Sequence, residues 1–232
     1  MSNNLKQSMK YGVMMMLAVG LASCDSGDDL TNATVNLSFS GNTSTITVPG
    51  GRAEANSLEF TSGTIRLRQI QFEAEAEGGD SIEVEIEQII DIDFATGATT
   101  PDLSDLVFPI GTYDEMRLEL ELQDENRIPS VVIEGTFTDA EDQAHPIRFE
   151  FNSGETFEVE KEGRVVFEAG TQVLAEVTFD PGVWFAGVTM EELSAATKNN
   201  DGVIVISETS NAEIFDIVAD GLDLATEVEI TL

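Results

Sequence analysis

Apolar and polar residues alternate along most of this chain. Val35, Leu37 and Phe39 share one parity, and Ile46 and Val48 return across Gly41-Asn42, so the pattern predicts a first hairpin. Within residues 64–77, Ile65 and Leu67 hold one parity while Ile70 and Phe72 hold the other. That slip predicts a β-bulge near Arg68-Gln69. Ile82, Val84, Ile86, Ile90, Ile92 and Phe94 then keep one face over a longer run. Met116 to Leu122, Val131 with Ile133, Ile147 to Phe151, Phe157 with Val159, and Val173 to Phe179 extend the series. Polar residues between them imply sheets with one wet face, and the Gly, Asn and Asp turns imply a sandwich.

The pattern changes after residue 181. Thr189 and Glu192 form a capping box before a helical stretch at residues 190–198. Residues 202–207 (GVIVIS) read as a short strand. Ser210 and Glu213 form a second capping box, Ile214, Ile217 and Val218 have helical spacing, and Gly221 reads as the C′ stop. Val228 and Ile230 predict a last strand. The expected fold is mainly β: an antiparallel β-sandwich of immunoglobulin or transthyretin type, with a small α-containing C-terminal segment.

The N-terminus is not part of that domain. Lys6 and Lys10 precede residues 11–21 (YGVMMMLAVGL), an apolar run too short to span a bilayer. Leu21-Ala22-Ser23-Cys24 resembles the lipobox of bacterial lipoproteins and contains the chain's only cysteine. The resemblance implies cleavage before Cys24 and lipidation of its thiol, with a membrane anchor as the result. The expected organisation is a signal peptide at 1–23, a polar tether at 24–33, and a domain at 34–232. In that domain, residues 182–232 pack on a sandwich core spanning about 34–181. Acidic residues just after the cysteine (Asp25, Asp28, Asp29) resemble the surface-export signal of Bacteroidetes-type lipoproteins. The expected location is therefore the outer membrane, exposed at the surface. Facing the periplasm is the alternative.

Charge narrows the partners. The chain carries a formal net charge of −33, and loss of Lys6 and Lys10 with the leader takes it to −35. Such a surface argues against nucleic acid as a partner, because phosphate binding depends on Lys and Arg. A hydrophobic content of 41% suffices for a packed core. With Cys24 acylated, no thiol is left for a disulfide or a thiol nucleophile.

Residues 90–97 (IDIDFATG), 108–120 (FPIGTYDEMRLEL), 167–171 (FEAGT) and 177–180 (VTFD) carry a second resemblance. They are similar to the envelope lipoprotein family called domain of unknown function 4382, over roughly residues 34–181. The resemblance implies a small β-sandwich and assigns no activity. The stretch after Trp184 departs from it.

Five candidate sites remain. Glu73, Glu75 and Glu77, then Glu83, Glu85 and Glu87, alternate on the two arms of a hairpin around Gly78-Gly79-Asp80. Opposed carboxylates repel, and Ca²⁺ would relieve the repulsion. A solvated acidic face is the favoured reading of that pattern. Residues 197–208 mimic an EF-hand loop, with Asn199, Asp201 and Glu208 at ligand positions and Gly202 at the turn. Thr197 stands where the first Asp is usual, a serious defect, so a helix-to-strand turn is the favoured reading of Asn-Asp-Gly. Trp184 and Phe185, with Asp180 as an acceptor, would offer a sugar platform; large aromatics more often fill cores. Asp80-Ser81-Ile82 resembles an O-glycosylation motif, with Ser81 as the acceptor. His145, the only histidine, lies in a polar stretch with no Gly-x-Ser-x-Gly to support a triad. No catalytic residue and no firm cofactor are assigned, with Ca²⁺ the one candidate. The expectation is a lipid-anchored, non-catalytic binding or adhesion module with a protein or glycan ligand. The alternatives are an accessory subunit of an envelope complex and a carboxylate-dependent hydrolase.

Overall fold

The computed structural model describes residues 32–48, 57–76, 79, 81–103, 106–170, 172–222 and 226–231. The lipobox and most of the tether lie outside them. The strands are β1 (Asn32–Gly41), β2 (Ile46–Thr47), β3 (Ser57–Ala76), β4 (Ser81–Asp93), β5 (Thr99–Thr100), β6 (Leu106–Pro109) and β7 (Gly111–Leu122). They continue with β8 (Val131–Thr138), β9 (Ala144–Phe151), β10 (Thr156–Phe167) and β11 (Gln172–Phe179). Then come α1 (Pro181–Trp184), α2 (Met190–Ala195), β12 (Ile204–Ile206), α3 (Ala212–Leu222) and β13 (Thr226–Thr231), and a short 3-10 helix, Glu125–Arg127, precedes β8.

The chain is mainly β, as its alternation requires, and its strands form two sheets. A small sheet runs β13-β11-β1-β6. A nine-stranded sheet runs β10-β7-β3-β8-β9-β12, with β4, β5 and β2 on the other side of β3. β3 organises the large sheet: its first half pairs with β8, and its second half with both β4 and β7.

Aromatic contacts show what covers the large sheet. Phe108 of β6 meets Phe72 of β3 with ring centroids 4.4 Å apart, and Phe179 of β11 meets Phe157 of β10 at 6.2 Å. The small sheet thus packs on the β3-β7-β10 region, in a sandwich-like arrangement. The helical segment covers the region around β8 and β9. Phe185 lies 5.1 Å from Phe60 and 5.8 Å from Phe149, and Phe215 lies 6.0 Å from Phe151. Both cover the same face, on which Leu58, Phe60, Ile65, Phe72, Leu118, Ile133 and Phe149 are buried. The opposite face of the large sheet carries the polar residues of the alternation, including Arg66, Gln71, Glu73, Glu119, Glu134 and Arg148.

The bulge near Arg68-Gln69 is present, since pairing with β4 and β7 shifts register between Leu67 and Gln69. β3 is longer than its pattern suggests, because it slips a second time between Phe60 and Ser62. Two changes of parity hide a continuous strand from any period-two reading. The predicted first hairpin does not form. β1 lies between β11 and β6, and β2 pairs with the start of β3. Gly41 is pressed so close to Phe94 that an added Cβ would meet its carbonyl at 2.3 Å, and Asn42 N–H donates to Phe179 O at 2.8 Å. The chain therefore crosses between sheets there and does not turn back. The sandwich is also not wholly antiparallel: β1 with β11 and β9 with β12 are parallel pairs. Each is closed by a long connection, as parallel pairing demands.

At the C-terminal end, α2 has the predicted capping box, with both the Thr189 and Glu192 halves formed. α3 begins at Ala212, and its entry is held by Asn211. The Asn211 side chain bonds Thr197 N, Thr197 O and Val205 O at 2.8, 3.0 and 2.7 Å. Gly221 lies inside α3 and is not its stop. A Cβ there would meet Trp184 O at 2.5 Å, so this glycine allows α1 and α3 to touch.

Candidate functional site

The glutamate hairpin exists as β3 and β4, with Glu77 outside the described residues; among those described, only Glu73 and Glu83 face each other directly. Gln71 lies opposite Glu85 and Gln69 opposite Glu87, which inserts amides between the carboxylates. Gln69 Nε2 donates to Glu85 Oε1 at 2.8 Å, and Gln71 Nε2 to Glu73 Oε1 at 2.9 Å. On the other flank, Arg117 lies 3.8 Å from Glu73, 3.6 Å from Glu115 and 2.9 Å from Glu158. Repulsion is thus relieved by amides and one guanidinium. Among the described residues, no three Asp, Glu, His or Cys side chains converge as a metal site. Glu83 and Glu85 belong to no such convergent set among the described residues.

Asn199, Asp201 and Glu208 do not converge either. Asn199 Oδ1 accepts from Asp201 N and Val203 N, both at 2.9 Å, and Gly202 sits at φ +80°. This is the Asn-Asp-Gly turn into β12. Glu208 follows β12 in a separate turn, closed by Ser210 N–H donating to Ser207 O at 3.1 Å. The sugar platform is also absent. Trp184 is 1% and Phe185 2% exposed, so both rings belong to the core. Asp180 instead caps α1, its Oδ1 accepting from Gly182 N at 2.7 Å. Ser81 is exposed at the first position of β4.

His145 is the second residue of β9, in a hairpin closed by Asp139. Its Nε2 lies 2.7 Å from Asp139 Oδ2 and its Nδ1 2.9 Å from Lys198 Nζ. An ammonium can only donate, so the ring proton sits on Nε2 and donates to Asp139. That bond, followed by the Gln143 amide, holds the Asp139 carboxyl below the usual carboxylate range. Among the described residues, both ring nitrogens are bonded to Asp139 and Lys198, so the imidazole ties the β8–β9 loop to the turn before β12.

The polar face of the large sheet has a concavity that no single sequence motif marks. It encloses about 640 Å³ between β3, β4, β8, β9 and the loop before β8. Thr64, Arg66, Asp91, Asp93, Ile128 and Arg148 line it. Arg66 grips Asp91 with both Nε and Nη2, at 2.5 and 3.0 Å, which raises the guanidinium pKa. Arg148 donates from Nε to Glu150 at 2.5 Å and from Nη1 to Glu134 at 2.6 Å. The Thr96 hydroxyl and amide hold the Asp93 carboxyl low. Ile128 adds an apolar rim at 45% exposed. The walls therefore offer fixed donors, fixed acceptors and one hydrocarbon edge, with every cation already neutralised. Such a lining suits hydroxyls and amides better than a naked charge. The sequence signal was slight: Arg66 lies between Ile65 and Leu67, and Arg148 between Ile147 and Phe149, both at outward positions. No family model, no curated protein and no solved structure matches this chain.

Proposed function

We propose that this chain is a lipid-anchored envelope protein, held by Cys24 in the outer membrane at the cell surface, that acts as a non-catalytic binding or adhesion module. On this reading it is one of the lipoprotein family that residues 34–181 resemble. The observation that carries the binding role is the uncovered polar face of the large sheet, with its concavity lined by Arg66, Asp91, Asp93 and Arg148. One face of the sheet is spent on the core, and the other is left with preorganised hydrogen-bonding groups around a hollow. Paired charges and an apolar rim favour a glycan or a neutral protein loop as the ligand. A catalytic role has less support, because the carboxylates there are tied to arginine or to a turn.

Two measurements test this. Labelling with a palmitate analogue should mark the wild type and not Cys24→Ala, and fractionation should move the variant out of the membrane. Retention of the lipidated protein on glycan arrays and on immobilised envelope proteins should be lost in an Arg66→Ala, Arg148→Ala double variant. Undiminished retention in a folded double variant would sink the assignment of the concavity.

A further inference from the structure

β4 is bonded to β3 along nearly its whole length. On its other edge, among the described residues, only Asp91 and Ile92 are paired, with β5. Backbone donors and acceptors along residues 81–90 on that edge therefore have no strand partner among the described residues. The strand is long and carries neither proline nor lysine, two residues that commonly blunt an edge. Its core-side residues Ile82, Val84 and Ile86 are only half-buried, whereas Ile70, Phe72 and Ala74, paired to them on β3, are 1–2% exposed. The apolar layer thus ends in an incomplete row. On the polar face, Glu83, Glu85 and Glu87 are exposed at alternate positions.

We infer that the free edge of β4 is a strand-addition site for another protein's extended segment, one that alternates basic and apolar residues. Backbone pairing would supply affinity, and the two faces of β4 would supply selection. The added strand would lay its apolar side chains beside Ile82, Val84 and Ile86, and its lysines or arginines beside Glu83, Glu85 and Glu87. A second copy of this chain is a poor occupant. Two β4 strands paired antiparallel in one continuous sheet would set the glutamate rows against each other, and like charges directly opposed are unfavourable. The acidic row is thus both the attraction for a basic strand and the barrier to self-pairing. This site is separate from the concavity, whose lining on β4 is limited to Asp91 and Asp93.

The probe is a short synthetic peptide alternating lysine and valine, titrated into the full-length lipidated protein at about 0.15 M salt. The control has the same sequence and charge but carries N-methyl groups on every second amide, on the edge that would pair. The unmodified peptide should bind, and N-methylation should weaken it roughly tenfold or more, as loss of several backbone bonds requires. Hydrogen exchange should slow at residues 82–88 and not on β10 or β12. A Glu83→Lys, Glu85→Lys variant should lose the peptide and gain one that alternates glutamate and valine. Equal binding of the two lysine peptides would mean diffuse attraction to an acidic surface and would overturn the proposal, as would no binding at all. Protection on another strand, or a dimer whose interface maps to β4, would overturn the site or its occupant.

Discussion

Gly97 shows how much one residue can decide. It lies at φ +71°, and a Cβ there would meet Phe39 O at 1.7 Å. The turn after β4 thus presses directly on the backbone of β1. Gly97→Ala should lower stability by about 1–3 kcal/mol through backbone strain alone, with the clash in addition. Urea unfolding measures it, and a change within error would mean that the turn can move away from β1. Asp139 is a second decisive residue. Its carboxyl accepts from His145, Glu141 N and Gln143 N, and its pKa is lowered. A folded-state pKa below the unfolded value gives stability that is present above the ordinary carboxylate range and is lost as pH falls through the lowered value. Protection of the Gln143 amide should therefore hold at neutral pH and fall on acidification below about pH 4. Asp139→Asn should abolish that acid step. A step of equal size in the variant would assign it to another group.

Among the elements, the C-terminal helices depend on caps and close approaches more than on length. α2 has only six residues, so its first turn is most of the helix. Thr189→Ala removes the hydroxyl that accepts from Glu192 N and should cost about 1 kcal/mol. Thermal unfolding of the pair Thr189→Ala and Thr189→Ser checks it, with serine expected to retain most of the stability. Capping was legible because it is local: donor and acceptor are three residues apart. The fate of Gly221 was not. Whether a glycine ends a helix or admits a neighbour depends on what lies beside it, and here that is Trp184 O. The same holds for the first hairpin. Gly41-Asn42 has turn composition, but the partner of β1 is β11, more than a hundred residues away.

For the whole molecule, the sequence carries a formal net charge of −33. Self-repulsion on that scale opposes the compact state and is screened by any salt. With no convergent ligand set among the described residues, CaCl₂, MgCl₂ and NaCl at matched ionic strength should raise the melting temperature alike. A specific Ca²⁺ site occupied at about 100 times its Kd would add about 2.7 kcal/mol beyond screening, a shift that thermal melts resolve readily. A calcium-specific gain would reinstate a metal site.

Fold class could be read from the sequence because it follows from period and composition. Alternation predicts strands with one wet face, and that prediction holds from β3 to β9. The bulge at Arg68-Gln69 was legible for the same reason, as a change of parity visible within one strand. The glutamate row also followed from parity, since residues two apart share a face. Pairing order and the parallel joins were decided only by tertiary structure. These depend on contacts between distant segments, and local pattern carries no address for a distant partner. The concavity is the clearest case. Arg66, Asp91 and Arg148 are ordinary outward residues on three strands, and only the order β4-β3-β8-β9 brings them around one hollow.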